Sequence, residues 1–235
     1  MDVRGRLIVA LDVPSLADAR ALVQRLGGEA TFYKVGLELV LAGGPAFVRE
    51  LVRAGKQVFL DMKLLDIGNT VERATRAAAA TGATFLTVHA QDRKTLAAAV
   101  AGKKGTALRI LGVTVLTNLD AGDLREQGLG DEPGDLVARR AALARAVGCD
   151  GVVASGQEAR RVRTMLGPAM AIVTPGVRLP GDHAGDQARV TTPQAALADG
   201  ADHLVVGRPI TAAADPEAAL AAFVRAIAEA PTPRA

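Results

Sequence analysis

Three kinds of residue are scarce in this chain, and each shortage argues against a class of site or function. The single cysteine, Cys149, cannot form a disulfide within the chain, so we expect a reducing, cytoplasmic setting in which it is a small buried residue. Aromatic residues make up 3% of the 235 residues and tryptophan is absent, which argues against a base-stacking surface for nucleic acid. The three histidines are too scattered along the sequence to suggest a metal site.

Long apolar runs and clustered charges are missing as well. No apolar run approaches the roughly 20 residues of a membrane span, and the N-terminus lacks the basic-then-apolar pattern of a secretory signal, so we predict no membrane partner. The net charge is +3, with the basic residues spread along the chain. This charge suits a phosphate-bearing metabolite and gives poor support for a nucleic-acid partner.

Short apolar runs alternate with amphipathic segments rich in Ala, Leu and Arg. Eight such strand–helix pairs predict an α/β fold, a single-domain (β/α)8 TIM barrel over residues 1–235. A doubly wound open sheet is the alternative, but the first turn, residues 11–14, lacks the glycine fingerprint of a dinucleotide site. The predicted strands are 7–11, 32–35, 57–63, 84–89, 108–116, 151–154, 169–174 and 203–206. The predicted helices are about 15–26, 45–53, 70–81, 93–101, 133–147, 157–165, 192–199 and 216–229.

The end of the third predicted strand carries charge in apolar company. Asp61 and Lys63 lie among Leu, Met and Ile residues, and Asp66 follows after a turn. An unpaired charge in such surroundings costs roughly several kcal/mol, so these groups need each other or a ligand. If the strand stays extended, its two-residue period places Phe59, Asp61 and Lys63 on one face. A structural ion pair is the simpler interpretation, and a charge array aimed into a pocket is the functional one.

The predicted barrel favours the functional interpretation. Active sites of this fold lie at the C-terminal ends of the strands. Five neighbouring predicted strand ends carry polar residues, namely Asp12, Lys34, Asp61 with Lys63, His89 and Thr117. For His89 a structural role is at least as well supported, and we do not assign it to catalysis.

The last two predicted strand ends have the features of a phosphate site. Loops after strands seven and eight often hold phosphate in this fold. Gly207 allows backbone N–H groups to approach an anion, and Pro209 suits the first turn of a helix. Arg178 and Arg208 can each bind phosphate oxygens through a bidentate fork.

Residues 61–70 resemble the D-x-K-x-x-D-I-x-x-T signature of the orotidine 5′-phosphate decarboxylase family. Further segments similar to that family follow in order along the chain, at 11–12, 33–36, 113–117, 150–155, 174–178, 185–187, 192–193 and 206–211. The D-x-K-x-x-D part alone is shared with magnesium-dependent relatives that act on sugar phosphates, so a decarboxylase or aldolase of that kind is the second hypothesis. A catalytically silent sensor of a phosphate ligand is the third. Ile67, Thr70, Gln187 and Lys34 favour the orotidylate enzyme.

The resemblance implies an activity and an assembly. Orotidine 5′-monophosphate is converted into uridine 5′-monophosphate (UMP) and carbon dioxide, the last step of de novo UMP synthesis, without metal or organic cofactor. The enzyme is a homodimer in which Asp66, Ile67 and Thr70 reach into the neighbouring subunit's site. The implied catalytic residues are Lys63, Asp61, Asp66 and Lys34. The implied substrate-binding residues are Asp12, Lys34, Asp61, Ile67, Thr70, Thr117, Pro175, Arg178, Gln187, Gly207 and Arg208.

The chemistry of this reaction gives two of these residues specific roles. Loss of carbon dioxide from C6 of the pyrimidine leaves a carbanion that no π-system absorbs, so we hypothesise that Lys63 stabilises it and then donates a proton. Asp61 would lie beside the departing carboxylate. The polar, glycine-containing segment 178–187 is predicted to be a lid over the phosphate, with a solvated surface loop as the alternative.

Overall fold

Eight parallel strands close into a barrel in the computed structural model, which describes residues 2–130, 132–181 and 189–231. Each strand pairs with the next along the chain, and the last pairs with the first, so the predicted (β/α)8 barrel is confirmed. The strands are β1 Leu7–Ala10, β2 Phe32–Gly36, β3 Gln57–Leu64, β4 Phe85–His89, β5 Arg109–Val113, β6 Gly151–Val153, β7 Ala171–Thr174 and β8 His203–Val206.

Helices return the chain between the strands. They are α1 Val3–Arg6, α2 Leu16–Leu26, α3 Leu37–Leu41, α4 Gly44–Arg53, α5 Gly68–Ala79, α6 Arg93–Gly102, α7 Ala121–Glu126, α8 Pro133–Val147, α9 Ala159–Leu166, α10 Pro193–Ala198, α11 Arg208–Thr211 and α12 Pro216–Ala228. The short helices α1, α3, α7 and α11 were not predicted from the sequence. No helix in the described part of the chain is long and apolar enough to cross a bilayer.

Two helix starts show how local chemistry sets the boundaries. The Ser15 hydroxyl accepts a hydrogen bond from the Asp18 amide at 3.1 Å and so caps α2, at the start of the predicted helix 15–26. The predicted helix 70–81 is confirmed as α5, which begins two residues earlier, at Gly68, and has Ile67 at its cap position. The carboxylate of Asp66 accepts instead from the Ile67 amide, at 2.6 Å, just before the first turn.

The barrel interior is filled by apolar side chains from alternating strand positions. At its N-terminal end the His203 ring meets Phe32 and Phe85 edge-on, with ring centroids 5.7 and 5.3 Å apart. The residues that face outward from the strands pack beneath the helices in a second, larger core. The inner core consists of Ile8, Ala10, Phe32, Phe59, Phe85, Leu111, Ala171, Val173 and Val205.

β3 does not stay regular as far as Lys63. Its pairing with β4 runs Leu60↔Leu86 and then Leu64↔Val88, so four residues of β3 span the distance that two span on β4. Within this bulge Lys63 has φ +47°, and no other non-glycine residue in the described ranges has a positive φ. The predicted strand 57–63 is confirmed, but the regular extension that was its condition for placing three side chains on one face is not met at Lys63. Phe59, Asp61 and Lys63 nevertheless all line the same cavity, described below.

Candidate active site

A cavity of about 540 Å³ opens at the C-terminal mouth of the barrel. Of the residues predicted to form a site, those that line it are Asp12, Lys34, Asp61, Lys63, Thr117, Pro175, Arg178, Gly207 and Arg208. Residues that were not named as site residues complete the wall, namely Ala10, Phe59, Val113, Val115, Leu116, Asn118, Val153, Gly176 and Val205. The strand ends therefore bring together charges that lie up to 196 positions apart in the sequence, from Asp12 to Arg208.

Four charged side chains of alternating sign form one side of the cavity, and we call Asp12, Lys34, Asp61 and Lys63 the charge row. The Lys34 amine donates to Asp12 Oδ1 at 2.8 Å and lies 3.5 Å from Asp61 Oδ2. The Lys63 amine donates to the same Asp61 oxygen at 2.8 Å. Asp61 is thereby held between two cations on the edge of the cavity.

Burial differs along the charge row. Lys34 and Asp61 are buried, with side chains 11% and 10% exposed, whereas the Lys63 side chain is 33% exposed and reaches into the cavity. Burial alone raises the pKa of the Asp61 carboxyl, but the charges of Lys34 and Lys63, with hydrogen bonds from Lys63 and Thr87, outweigh it and lower the pKa below its ordinary value. Asp61 is therefore ionised at neutral pH.

Gly36, at the end of β2, makes room for the charge row. A methyl group at this position would lie 3.2 Å from both Asp12 Oδ1 and Lys34 Nζ. Such a distance is tighter than ordinary van der Waals contact, so any side chain here would displace the two charged groups.

Two arginines line the cavity at the ends of the last two strands. Arg178 follows β7 and Arg208 follows β8, and Pro175, Gly176 and Gly207 line the same part of the wall. Gly176 has φ +74°, a left-handed conformation that favours glycine. Because β8 pairs with β1, this part of the wall adjoins the Asp12 end of the charge row, and it is the place where this fold often holds a phosphate.

The floor of the cavity is apolar. It is formed by side chains from four different strands: Phe59 and Val205 belong to the inner core, Val153 packs against that core, and Val113 is buried at the end of β5. A floor that excludes water strengthens the electrostatic interactions of any group bound above it.

A buried ion pair supports the wall that follows β5. Arg189 donates to the Leu116 carbonyl at 2.9 Å and to the Glu158 carboxylate at 2.6 Å, and both charged residues are buried. The Ser155 hydroxyl also donates to Glu158. Through Arg189, which follows β7, these bonds join the segment after β5 to the segment after β6, and no periodic pattern in the sequence predicts them.

Three predicted site residues do not line the cavity of their own chain. Asp66, Ile67 and Thr70 are exposed, and Ile67 is 74% exposed. They lie at the start of α5, on the rim of the barrel mouth. Gln187, and most of the predicted lid 178–187, fall outside the described residues.

His89 and Cys149 stay outside the cavity. Burial lowers the pKa of the His89 ring, and the positive charges of Arg140 and Lys63 lower it further, so the ring is neutral at pH 7. Burial raises the pKa of the Cys149 thiol to about 12, as suits the small buried residue expected from the sequence. In the described ranges no three His, Cys, Asp or Glu side chains are arranged to hold a metal ion.

Thr87 is a residue that the sequence analysis missed. It is fully buried in β4, and its hydroxyl bonds both the Lys63 amide, at 2.9 Å, and Asp61 Oδ1, at 2.8 Å. A polar residue at an inward position of an otherwise apolar strand was a signal that could have found it.

Comparison with known proteins gives a consistent result over nearly the whole chain. A family model described as Orotidine 5′-phosphate decarboxylase / HUMPS family matches residues 5–223. A protein of Methylobacterium radiotolerans named orotidine 5′-phosphate decarboxylase is 55% identical over 227 residues, covering 97% of this chain and 98% of the relative. A protein of Methylorubrum populi with the same name is 56% identical over 217 residues, covering 92% and 93%.

Solved structures agree with this result. The crystal structure of an orotidine 5′-phosphate decarboxylase from Lactobacillus acidophilus superposes with a TM-score of 0.83 at 34% identity, covering 94% of this chain and 98% of that one. An uncharacterized conserved protein from Geobacillus kaustophilus gives a TM-score of 0.81 at 36% identity, covering 94% and 99%.

Proposed function

The chain belongs to the orotidine 5′-phosphate decarboxylase / HUMPS family, and we propose how its barrel mouth converts orotidine 5′-monophosphate into UMP and carbon dioxide. The charge row is the observation that carries the proposal, because it places an ammonium group and a carboxylate side by side over an apolar floor. The two arginines line the same cavity at the ends of β7 and β8. The ends of β2 and β3 thus suit the reacting ring, and the ends of β7 and β8 suit the phosphate.

Lys63 stabilises the transition state and donates the proton. As the C6–carboxylate bond breaks, its electron pair stays on C6, and the adjacent ammonium group offsets the developing negative charge. The same group then transfers a proton to C6, which completes UMP and leaves the amine neutral until it takes a proton from solvent. The partial exposure of the Lys63 side chain supports this last exchange.

Asp61 repels the carboxylate of the bound substrate, and its bond to the Lys63 amine orients that amine. A substrate carboxylate about 4 Å from Asp61 would be repelled by about 4 kcal/mol at an effective dielectric constant of 20. That repulsion fades as the carboxylate becomes neutral carbon dioxide. Because Lys34 and Lys63 both hold Asp61 ionised, the charge is in place before the substrate arrives.

Binding of the substrate's phosphate, remote from C6, provides the free energy that offsets this repulsion. Arg178 and Arg208 bind its oxygens, and Gly207 allows the backbone to approach it. Pro175 and Thr117 line the path between phosphate and base, and Asp12, at the exposed end of the charge row, binds the ribose hydroxyls. Interactions made far from C6 hold the ring in its reacting position.

We further propose that the working enzyme is a homodimer. Asp66, Ile67 and Thr70 are exposed on the mouth rim, beside the exposed apolar side chain of Leu65. In a dimer they would enter the neighbouring cavity, where Asp66 would orient Lys63. Mixing Asp66→Ala with Lys63→Ala subunits tests this, because each mixed dimer contains one site free of both changes and should regain activity. Mixtures that stay inactive after subunit exchange would count against shared sites.

Two expectations from the sequence remain part of the proposal. Residues 1–235 act as one domain, which is supported by a family match that lies within one closed barrel. The enzyme works in the cytoplasm, where a free and buried Cys149 stays reduced.

A decarboxylation assay tests the activity directly. Purified protein is given orotidine 5′-monophosphate with excess EDTA, and loss of the substrate's ultraviolet absorbance is followed together with UMP formation. We expect full turnover in EDTA. Turnover of a sugar phosphate only, with added magnesium, would favour the other activity in the family, and tight UMP binding without decarboxylation would favour a sensor.

A further inference from the structure

We propose that Thr87, a buried residue of β4 that does not itself line the cavity, is a positioning residue that fixes the Lys63 amine and the Asp61 carboxylate relative to each other. This inference rests on the proposed decarboxylase function and adds a residue to its machinery. Thr87 acts through Lys63 and Asp61 and touches neither the substrate nor its reacting atoms.

The position of Thr87 requires its hydroxyl to be bonded. Phe85 belongs to the inner core, whereas Leu86 and Val88 belong to the outer one, so the alternation of β4 points Thr87 into the barrel. The residue is fully buried, and a buried hydroxyl without partners costs about 1–3 kcal/mol. A valine of the same shape would fill this space without that requirement. The hydroxyl of Thr87 is bonded twice, unlike the buried hydroxyl of Thr75, which has no partner.

The hydrogen-bond directions at Thr87 are forced. The Lys63 amide can only donate, so the Thr87 oxygen accepts from it at 2.9 Å, and its single proton is left for Asp61 Oδ1 at 2.8 Å. The other oxygen of Asp61 accepts from the Lys63 amine at 2.8 Å. These three bonds form a closed ring that holds Lys63 at both its backbone and its side-chain end.

The ring also explains why Lys63 keeps an unfavourable backbone conformation. A non-glycine residue in a left-handed conformation costs about 1–3 kcal/mol and persists only where its surroundings hold it. In the bulge, Lys63 faces β4 without a ladder pair, and Thr87 supplies an oxygen for its amide in place of a backbone carbonyl. The strained backbone aims the Lys63 side chain, and Thr87 holds that backbone in place.

The experiment compares hydroxyl removal at two buried threonines. Thr87→Val removes the hydroxyl and keeps the shape, Thr87→Ser keeps the hydroxyl, and Thr75→Val is the control. Thr75 is fully buried in α5, and its hydroxyl has no partner. For each protein, kcat, KM, UMP affinity and the thermal midpoint are measured next to wild type. We expect kcat to fall about 10- to 100-fold in Thr87→Val, with KM and UMP affinity within about threefold, and near-complete recovery in Thr87→Ser.

A pH profile separates positioning from a merely structural role. Loss of the Thr87 donor removes one of the bonds that favour ionised Asp61, so the acid limb of the kcat profile should move to higher pH in Thr87→Val and stay in place in Thr87→Ser and Thr75→Val.

Several results would overturn the inference. A Thr87→Val enzyme with the kcat and acid limb of wild type would do so, as would a Thr87→Ser enzyme that is equally slow. If the valine variant does not fold, Thr87→Ala and Thr87→Ser ask the same question, and equal kcat values would refute the role. An inactive wild-type enzyme would instead refute the proposed function, and with it this role.

Discussion

The two ends of the barrel use the same kinds of charged residue in opposite ways. At the C-terminal mouth, the charges of the charge row bond to one another and face an open cavity. At the N-terminal end, charged side chains bond to backbone groups of the strands and helix ends. Both ends contain lysine–aspartate pairs, so residue type alone does not distinguish them.

Arg163 and Asp202 illustrate the N-terminal arrangement. Arg163 uses all five of its N–H donors, on the carbonyls of Gly167, Met170 and Gly200 and on Asp202. Asp202 in turn accepts from the Ile172 amide at 2.8 Å, at the start of β7. Every polar atom of the guanidinium is used within the protein, and none is left for a ligand.

The two ends differ in what the charged side chains bond to. Side chains that bond to backbone groups hold strands and loops together, and we expect their loss to lower stability. Side chains that bond to one another beside a cavity can still interact electrostatically with a bound ligand, and we expect their loss to lower the catalytic rate. In barrels generally, the C-terminal ends carry catalysis and the N-terminal ends carry stability, and the hydrogen bonds here give a physical reason.

The sharpest test of this comparison sets Lys63 against Lys103, since each pairs with one aspartate. Lys63→Ala should lower kcat by a factor on the order of 10⁴ or more, because in the proposed mechanism it removes both the cation beside C6 and the proton donor. Its stability should change little, since Asp61 keeps Lys34 and Thr87 as partners. Lys103→Ala leaves Asp150 with the Ile110 amide but without its charge partner, so it should lower stability and leave kcat unchanged. Assays of decarboxylation and urea unfolding measure both quantities, and a Lys103→Ala enzyme that folds stably but is inactive would contradict the comparison.

The next effect concerns stability at the N-terminal end. Asp202→Ala should lower the free energy of unfolding by about 2 kcal/mol, because Arg163 loses its charge partner and the Ile172 amide loses its acceptor. The pair is partly exposed, which keeps the loss below that of a fully buried pair. In the matched surface pair with Glu50, Arg20→Ala should lower the free energy of unfolding by clearly less than Asp202→Ala does, because both of its partners are exposed to solvent. Urea unfolding measures both, and kcat of the folded Asp202→Ala enzyme should equal that of wild type.

Much of the fold followed from local patterns. β8 and α8 begin and end at the predicted residues, because a short apolar run and a long amphipathic run each carry their own period. The short helices α1, α3, α7 and α11 span only four to six residues, too few for a helical period to show. Of these, α7 did carry a readable signal in the capping box formed by Asp120 and Asp123.

The candidate site was predictable in part for the same reason. Charges that follow apolar strands in a barrel converge at one mouth, so Asp12, Lys34, Asp61 and Lys63 could be placed without coordinates. The left-handed backbone of Lys63 and its bond to Thr87 could not, because both depend on the register between β3 and β4. Register is a tertiary property, and a bulge in it leaves no mark in the sequence of one strand.

A smaller effect concerns pH and the buried histidine at the N-terminal end. Burial lowers the pKa of His203, against opposing effects of its bond to the Gly5 carbonyl and of Asp202, so the folded protein holds the ring neutral. The unfolded ring has a pKa of about 6.5, so stability from the neutral ring is full above that pH and is lost as the pH falls towards the lower folded value. His203→Gln should flatten the fall in unfolding free energy between about pH 7.5 and 5.5. If the fall in unfolding free energy with pH is unchanged in His203→Gln, groups other than His203 cause it. His89, whose pKa is also lowered, would then be replaced next.

The smallest expected effect compares the glycine that ends β2 with a glycine in the turn that precedes this strand. Gly36→Ala places a methyl group 3.2 Å from Asp12 Oδ1 and Lys34 Nζ, so the pair must shift by a few tenths of an ångström. Because a shift of about 1 Å in an active site can cost about 100-fold, we expect a loss in kcat/KM of only about two- to fivefold. Gly28→Ala, just before β2 at the N-terminal end, meets nothing within 4 Å and should leave kcat/KM unchanged. The two variants should unfold at similar urea concentrations, so a difference in rate without a difference in stability would place the sensitivity at the mouth. Equal rates would mean that the charge row adjusts without loss, and that its geometry is less tightly set than the closed ring around Lys63 implies.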